Sequence, residues 1–436
     1  MRGADWIAGA AGARLARGAE GAPRRVVIDS REVGLGDLFV GLVGTRSDGG
    51  EFAAQALAAG AWGVLVSPAW AAGLSGGAVL AADDPLAALG RMAREWRTEL
   101  GAWVITVTGS VGKTSTKELI AAMLAPHLTV VASRANFNTD IGMPLEMLRA
   151  PEGTDVLVLE AAMRGFGQIA DLAAISQPSV AVITNIGPVH LEQVGSLEGV
   201  ARAKAELFGG LDETGVAVIP AREPLLEPHL RGLEVVRFGD GGDVHWEGDE
   251  IVARGERLAL ELPFTSRHQR TNALAAAAAA MAIGVTPSGR VDVDFGAMRG
   301  ERRELANGAT IINDCYNASP LSMRAALDEL ASHETAGRRL AVLGDMLELG
   351  RESEALHREV GEMAAEAGVD VLVTVGPRAV VMLDAFDGES YAVADAREAA
   401  ALAGELVEPG DVMLVKGSRG VGLEVVAEAL QGAVRG

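Results

Sequence analysis

The sequence predicts an α/β protein of three domains, and three observations support this fold class. The chain has 436 residues, and domains of roughly 150 residues are usual, so that about three globular units are expected. Apolar runs such as WVITVTG, DVLVLE and SVAVITN alternate with helical stretches from residue 103 onward. This alternation is typical of a parallel, doubly wound sheet that helices cover on both faces. A second alternating series begins near residue 300 and predicts a Rossmann-like unit.

We place the domain boundaries near residues 98 and 299. Residues 1–98 hold short strands between Gly-rich turns and form a small N-terminal α/β domain. Residues 99–299 form the central doubly wound domain, in which residues 233–265 are polar and strand-like, and residues 300–436 form the C-terminal domain. The first 20 residues predict a short helix, because Arg14 and Arg17 interrupt any apolar stretch of signal-peptide length.

Composition and charge disfavour several classes of function. The formal net charge of −21 repels nucleic-acid phosphates, so we expect no nucleic-acid partner. No uncharged apolar stretch reaches the roughly 18 residues that a bilayer crossing needs, so we expect no membrane insertion. The single cysteine, Cys315, cannot form an intramolecular disulfide and is predicted to pack in a core. These features predict a cytoplasmic protein, which we expect to be a monomer.

The segment TGSVGKTS, residues 108–115, predicts a phosphate-binding loop. It follows a buried strand and precedes a helix, which is the context that such a loop requires. Its glycines let backbone N–H groups turn toward phosphate oxygens, Lys113 reaches the outer phosphates, and the hydroxyl of Thr114 can bind Mg²⁺. The predicted ATP-binding loop residues are Gly109, Ser110, Val111, Gly112, Lys113, Thr114 and Ser115.

Three more side chains are expected near this loop. Glu160 ends the strand DVLVLE, His190 follows the strand SVAVITN, and Lys204 lies on the helix EGVARAKAELF. The carboxyl ends of parallel strands meet at one edge of a sheet, so Glu160 could hold Mg²⁺ there. Spacing alone does not separate this interpretation from a strand-end charge, a structural histidine and a surface lysine. A kinase, a motor or a ligase could each use such a phosphate grip.

Seven segments resemble, in order, the motifs of the ATP-dependent Mur ligases. They are TGSVGKTSTKE, LEAAMRGFGQI, TNIGPVHLEQVGS, ARAKAELF, INDCYNASPLSM, AVLGDMLELG and LVKGSR, and the N-terminal DSR and GDLFVGLVGTRSDGGEF extend the resemblance over nearly the whole chain. The resemblance implies a uridine-nucleotide domain, a central ATPase domain and a mobile C-terminal domain. It also implies that a substrate carboxylate takes the γ-phosphate of ATP and that an amine then displaces phosphate from the acyl phosphate.

The resemblance implies catalytic roles for two residues of the loop and for the three side chains expected near it. Lys113 and Thr114 would hold the β- and γ-phosphates and a first Mg²⁺ with the help of Glu160. His190 and Lys204 would form a second Mg²⁺ site, where the family lysine is carbamylated by CO₂. A carbamate is an anion that can bind Mg²⁺, whereas an ammonium group would repel it.

The resemblance also implies contacts with nucleotide and substrates outside the loop. Further ATP-binding residues would be Asn272, Arg299, Asp314, Tyr316 and Asn317. The UDP-linked substrate would be bound by Ser30, Arg31, Thr45, Asp48, Asn136, Asn138 and Thr139. The incoming amine would lie near Asp345, His357, Lys416, Ser418 and Arg419. The last three of these residues could instead face the ATP. The chain departs from the family pattern at Gly50, Thr139, Ala162 and Gln269.

Within the family, the segments INDCYNASP and LGDMLELG resemble the members that add D-alanyl-D-alanine to UDP-N-acetylmuramoyl-tripeptide in peptidoglycan synthesis. ATP, this tripeptide and the dipeptide are therefore the expected partners. Two other hypotheses stay open: another amino-acid-adding ligase, such as that of the preceding step or a folylpolyglutamate type, and a P-loop ATPase switch that does not ligate. Amine-dependent release of ADP would distinguish the ligases from the switch.

Overall fold

The computed structural model describes residues 1–45, 47–296 and 298–432, and within them three large β-sheets dominate the fold. Helices separate most of the parallel strands, so that the predicted α/β class is confirmed. None of the helices in these parts of the chain combines the length and the apolarity that crossing a bilayer would require.

The N-terminal sheet has five strands in the order β1-β5-β4-β3-β2. Its elements are α1 (Ala4–Ala11), β1 (Arg14–Arg17), β2 (Val26–Val27), β3 (Leu38–Val40), α2 (Ala53–Ala58), β4 (Gly63–Val66), α3 (Pro68–Ala71) and β5 (Ala78–Ala81). Strand β1 runs antiparallel to β5, and the other pairs are parallel. The prediction of one helix over the first 20 residues was wrong in its second half. Gly12 ends α1 with a left-handed φ of 59°, and the chain then returns along the sheet edge as β1.

Helix α4 (Pro85–Leu100) connects this sheet to the next one and packs against elements of both. Asp84 caps its first turn by accepting hydrogen bonds from the N–H groups of Leu86 and Ala87. The buried Trp96 donates from Nε1 to the carbonyl oxygen of Ala150 at 2.9 Å. The predicted boundary at residue 98 falls inside this helix, which joins one continuous hydrophobic core.

The central sheet has nine strands in the order β14-β13-β12-β11-β10-β9-β6-β8-β7. Its elements are β6 (Trp103–Thr108), α5 (Lys113–Leu124), β7 (Val130–Ala132), α6 (Gly142–Arg149), β8 (Val156–Glu160), α7 (Gln168–Ser176), β9 (Val180–Ile183), α8 (Leu191–Val194), α9 (Leu197–Ala205), β10 (Val216–Pro220), β11 (Glu234–Phe238), β12 (Val244–Glu247), β13 (Glu250–Ala253) and β14 (Glu256–Leu258). The strands from β7 to β12 are parallel, and β12, β13 and β14 form an antiparallel meander. Alternate residues of β8 and β9 point into two different cores, as a doubly wound sheet requires.

An alanine-rich helix lies beside the phosphate-binding loop. A small parallel pair, β15 (Leu260–Glu261) and β16 (Gly289–Arg290), flanks this helix, which is α10 (Arg267–Ala282). Residues 273–280 of α10 are all buried, and the helix packs against α5. Alanine side chains are short enough to let two helices approach closely, and this approach brings the start of α10 to the loop that precedes α5.

The third sheet has six strands in the order β17-β18-β22-β19-β20-β21. Its elements are β17 (Glu301–Glu304), β18 (Thr310–Asn313), α11 (Pro320–Ser332), β19 (Arg339–Gly344), α12 (Ser353–Glu366), β20 (Val371–Val375), β21 (Glu389–Val393), α13 (Ala396–Leu406), β22 (Val412–Lys416) and α14 (Glu424–Gly432). All pairs except β17 with β18 are parallel, which agrees with the predicted Rossmann-like series. Cys315 is buried, and burial raises the pKa of its thiol to about 12.

Candidate active site

The phosphate-binding loop joins the end of β6 to the start of α5. Strand β6 lies between β8 and β9, so the loop emerges where the strand order reverses, which is the usual ligand site of such sheets. Gly109 adopts a φ of 149°, and a Cβ atom added there would lie 1.9 Å from Oγ1 of Thr184. Only glycine fits this close approach, so the loop is held tightly against the chain that follows β9.

Asn185, directly after Thr184, fixes the loop through two side-chain hydrogen bonds. Its Oδ1 accepts from the N–H of Val111, and its Nδ2 donates to the carbonyl oxygen of Val111, both at 2.9 Å. Thr184 Oγ1 donates to the same carbonyl oxygen at 2.6 Å. Both residues lie in the segment TNIGPVHLEQVGS, but its sequence did not predict a role for either of them. They set the loop geometry in which the N–H groups can meet phosphate.

Asn185→Ala is expected to raise the KM for ATP about tenfold, which corresponds to about 1.4 kcal/mol of lost binding. The substitution leaves the N–H and the carbonyl of Val111 without their side-chain partner, so the loop loses its preformed shape. Steady-state kinetics over a range of ATP concentrations measure the change. The control is Asn307→Ala, which changes an exposed residue in the turn between β17 and β18 of the third sheet. An unchanged KM for ATP would contradict the role of Asn185.

Glu160 and Thr114 meet at the start of α5. The buried Glu160 carboxylate accepts from Oγ1 of Thr114 at 2.7 Å and from Nδ2 of Asn138 at 2.8 Å. We predicted Asn138 as a contact of the UDP-linked substrate, and the structure places it on Glu160, where it orients the carboxylate. Lys113 donates from Nζ to the carbonyl oxygen of Gly109 at 2.9 Å. Burial lowers the pKa of Lys113, and the nearby Glu160 opposes this effect.

The chemistry of Thr114 and Glu160 fits a magnesium ion. A hydroxyl oxygen and a carboxylate are the hard donors that Mg²⁺ prefers, and both lie at the first turn of the helix that the phosphate would face. Across the described ranges of the chain, no cluster of three or more His, Cys, Asp or Glu side chains is arranged to hold a metal. Nucleotide phosphate oxygens would therefore have to supply further ligands, as is usual for Mg²⁺ in phosphoryl transfer.

His190 immediately precedes α8, and Lys204 lies in α9, so both are on the chain that follows β9. Burial lowers the pKa of Lys204 well below its ordinary value, and the charge of Lys113 lowers it further. His190 pairs through Nδ1 with Oε2 of Glu348 at 2.5 Å. Burial lowers the pKa of His190, while Glu348 opposes this effect. A neutral imidazole and a neutral amine are the forms needed for metal binding and for reaction with CO₂.

Two predicted nucleotide residues come from the start of the third unit. The guanidinium of Arg299 stacks over the ring of Tyr316, with its central carbon 3.8 Å from the ring centroid. The charge of Arg299 contributes to the lowered pKa of Lys113, after burial, which is the main cause. The predicted contacts of Arg299 and Tyr316 with the nucleotide stay predictions.

Lys416 is buried beneath the loop DCYN instead of facing an open surface. Its Nζ donates to Oδ2 of Asp314 at 2.5 Å and to the carbonyl oxygen of Asn317 at 2.9 Å. We predicted Lys416 beside the incoming amine or the ATP, and Asp314 and Asn317 beside the nucleotide; these ligand contacts stay predictions. The structure joins the three, so that Lys416 positions the predicted nucleotide residues.

Asn272 reaches the phosphate-binding loop from α10. A Cβ atom added at Gly112 would lie 2.5 Å from Oδ1 of Asn272, which measures how closely the two approach. Asn272 donates from Nδ2 to Oε1 of Gln269 at 3.2 Å. Gln269, one of the departures from the family pattern, therefore orients Asn272 from one turn earlier in the same helix.

Asp345, His357 and Ser418 hold one loop, residues 345–350, which we call the clip loop. Oδ1 of Asp345 accepts from the N–H groups of residues 378 and 379, and the carbonyl oxygen of Asp345 accepts from the N–H of Ser418. Nε2 of the fully buried His357 accepts from the N–H of residue 346, and Oγ of Ser418 accepts from that of residue 347. Their predicted contacts with the incoming amine stay predictions. Of the five residues predicted there, the exposed one is Arg419, whose Nη1 lies 3.2 Å from Sδ of Met298.

The predicted uridine-binding residues lie on two turns of the N-terminal unit. Ser30 and Arg31 form a short 3₁₀ turn capped by Asp29, and the Arg31 guanidinium lowers the pKa of that carboxyl to about 2. Asp48 accepts from Nε1 of Trp70 at 2.8 Å. A Cβ atom added at Gly50 would lie 2.2 Å from Cδ1 of Trp70, so the indole occupies the space beside this departure from the family pattern.

The remaining predicted substrate residues are on the surface or cap a helix. Thr45 and Asn136 are exposed. Oγ1 of Thr139 accepts from the N–H of Gly142 at 3.3 Å, at the start of α6. Their predicted contacts with the UDP-linked substrate stay predictions.

Fold and phosphate-binding loop together define a P-loop nucleotide-binding protein. Residues 107–280 match the Mur ligase middle domain, and residues 298–419 match the Mur ligase glutamate ligase domain. The chain belongs to the Mur ligase family, as the sequence motifs predicted.

Known relatives extend the similarity over most of the chain. The UDP-N-acetylmuramoyl-tripeptide–D-alanyl-D-alanine ligase of Bacillus subtilis (strain 168) is 36% identical over 423 residues, which cover 93% of this chain and 92% of that protein. A crystal structure of MurF from Acinetobacter baumannii is 30% identical, covers 99% of both chains and has a TM-score of 0.91. MurF ligase from Thermotoga maritima in complex with ADP is 30% identical, covers 94% of this chain and 98% of that one, and has a TM-score of 0.82.

Proposed function

We propose that the protein is an ADP-forming carbon–nitrogen ligase that joins D-alanyl-D-alanine to UDP-N-acetylmuramoyl-tripeptide. The products are UDP-N-acetylmuramoyl-pentapeptide, ADP and phosphate, and the reaction supplies a precursor of peptidoglycan. ATP is available in the cytoplasm, where we place the reaction, and we propose a monomer as the working unit.

The observation that carries the proposal is the contact between Thr114 and Glu160 at the phosphate-binding loop, in a chain that is similar to such ligases over most of its length. The 2.7 Å contact between these side chains supports the proposal, because a hydroxyl and a carboxylate oxygen beside the loop are suitable ligands for the Mg²⁺ that accompanies ATP. The relatives that carry this ligase name are matched over about nine tenths of their length. The site therefore has the parts for phosphoryl transfer within the full frame of the ligase.

ATP serves to turn a carboxylate into a reactive acyl group. A carboxylate oxygen of the tripeptide attacks the γ-phosphorus, the bond to the β-phosphate oxygen breaks, and ADP leaves. The amine of the dipeptide then attacks the acyl carbon and loses a proton, and the bond from this carbon to the phosphate oxygen breaks. Lys113 and Arg299 stabilise the negative charge that gathers between nucleotide and substrate.

We propose two magnesium sites, one held by Thr114 and Glu160 and one by His190 and a carbamylated Lys204. Magnesium supplies positive charge that polarises the γ-phosphate and shields the attacking carboxylate from it. The lowered pKa of Lys204 supports the carbamate, because only the free amine adds to the carbon of CO₂, with loss of one N–H proton. The resulting anion would be stabilised by the neighbouring Lys113 in a buried site.

The test follows ADP release from the purified full chain with ATP, Mg²⁺ and UDP-N-acetylmuramoyl-tripeptide. We expect release to need D-alanyl-D-alanine and to be much slower with single amino acids or with no amine. Release that prefers a single amino acid would favour another ligase of the family. Release that does not depend on any amine would favour a P-loop ATPase switch and contradict the proposal.

A further inference from the structure

The clip loop of the third unit touches the central unit at His190. Oε2 of Glu348 pairs with Nδ1 of His190 at 2.5 Å, and the carbonyl oxygen of Glu348 accepts from the N–H of Glu192 at 3.4 Å. A Cβ atom added at Gly350 would lie 3.3 Å from Cα of Glu192, so the two backbones are in close contact. The central and third units are therefore in contact here through backbone atoms as well as through the His190–Glu348 pair.

Both partners of this pair hold a rare backbone conformation. His190 has a φ of 53° and Glu348 a φ of 64°, in the left-handed region that residues other than glycine seldom adopt. Such strained residues persist only where the surrounding structure enforces them, and they cluster at functional sites. On the Glu348 side the enforcement comes from the bonds that His357 and Ser418 make to the N–H groups of the clip loop. These hydrogen bonds hold the clip loop in a conformation in which the side chain of Glu348 reaches His190.

We propose that Glu348 is a positioning residue that orients His190 across the boundary between the central and third units. A carboxylate that accepts from Nδ1–H fixes the tautomer of an imidazole and leaves the Nε2 lone pair free for a metal ion. The inference rests on the proposed second magnesium site at His190 and Lys204. This role explains why the buried His357 and Ser418 stabilise the clip loop. They hold the loop in the conformation in which the Glu348 carboxylate contacts His190 of the central unit.

The test compares Glu348→Ala and Glu348→Gln with the wild-type chain. We expect Glu348→Ala to lower kcat about 10- to 100-fold, the usual effect of removing the partner of a ligating histidine, with KM for ATP changed less than about twofold. Glu348→Gln keeps an oxygen that accepts from Nδ1–H and is expected to recover a large part of this loss. The matched control is Glu352→Ala, which removes an exposed carboxylate four residues after Glu348.

A double-mutant cycle shows whether Glu348 acts through His190. Because the effects of residues in direct contact are not additive, Glu348→Ala should cost little further activity in a His190→Ala background. Fully additive losses would overturn the inference. Glu348→Gln that is as inactive as Glu348→Ala would also overturn it, since that result is expected of a carboxylate that binds the metal itself.

Metal binding gives a readout that needs no turnover. Mn²⁺ titrations followed by electron paramagnetic resonance, with a non-hydrolysable ATP analogue and UDP-N-acetylmuramoyl-tripeptide, report the affinity of each site. We expect Glu348→Ala to weaken the second Mn²⁺ about 10- to 100-fold and to leave the first unchanged. Unchanged affinity for both ions would contradict the inference about Glu348. This measurement does not depend on which amine the protein ligates, so failure of the inference can be distinguished from failure of the proposed reaction.

Discussion

Lys113→Ala is expected to reduce ADP formation by about 10²- to 10³-fold, the usual effect of losing one group that stabilises charge in a transition state. Lys113 starts the helix that follows the phosphate-binding loop, and its Nζ already lies within hydrogen-bond distance of the Gly109 carbonyl in that loop. Without this cation, the β- and γ-phosphates meet only N–H groups and the proposed Mg²⁺. Single-turnover measurement of ADP at saturating ATP gives the rate of the phosphoryl transfer itself.

The control for this variant is Arg231→Ala, which removes an exposed positive charge from a turn of the central unit. It should leave ADP formation and the KM for ATP unchanged. A Lys113→Ala protein that turns over within about tenfold of the wild type would refute the phosphate contact, because a lost ion pair to phosphate costs more than the 1.4 kcal/mol to which tenfold corresponds.

Lys204→Ala is expected to be nearly inactive and to regain part of its activity with a small carboxylic acid. The buried Lys204 has a pKa well below the ordinary value because burial disfavours its ammonium form. The free amine can become a carbamate, whose two oxygens the variant lacks. Formate or acetate that enters the vacated space brings a carboxylate to nearly the same place, so activity should rise with the acid concentration and saturate.

Lys113→Ala treated with the same acids is the matched control for this rescue. A carboxylate cannot replace the cation that this variant lacks, so no recovery is expected. Lys204→Arg should stay inactive with and without acid, since a guanidinium does not form a carbamate and fills the space. Full activity of Lys204→Ala without any additive would show that the second metal site does not depend on Lys204.

The sequence predicted those parts of the site that lie close together along the chain or whose position follows from the order of the strands. The loop glycines and Lys113 lie within one strand–loop–helix segment, and the order of buried runs placed Glu160 at the same sheet edge. The antiparallel return of β1 was missed because Arg14–Arg17 is a short, largely exposed edge strand whose pairing with β5 depends on residues far along the chain.

Contacts between distant segments could not be predicted in the same way. Asn138 follows β7 and contacts Glu160 because β7 and β8 are neighbours, and Asn185 follows β9 and contacts Val111 because β9 and β6 are neighbours. Glu348 stood inside a recognised motif, yet its partner His190 is 158 positions away and in another unit. The place of Lys416 at a strand end predicted that it faces the amine or the ATP, but its contact with Asp314 depends on packing within the third unit and could not be predicted.

The most direct test of the central claim is the fate of the carboxylate oxygens. The tripeptide is made with ¹⁸O in both oxygens of its terminal carboxylate and is converted with ATP and D-alanyl-D-alanine, and the phosphate and the peptide are analysed by mass spectrometry. Activation of the carboxylate by ATP predicts one ¹⁸O atom in each phosphate released, and one in the new amide of a product heavier by one dipeptide residue. Phosphate without ¹⁸O, released while ADP accumulates, would show that ATP is hydrolysed by water and would contradict the account.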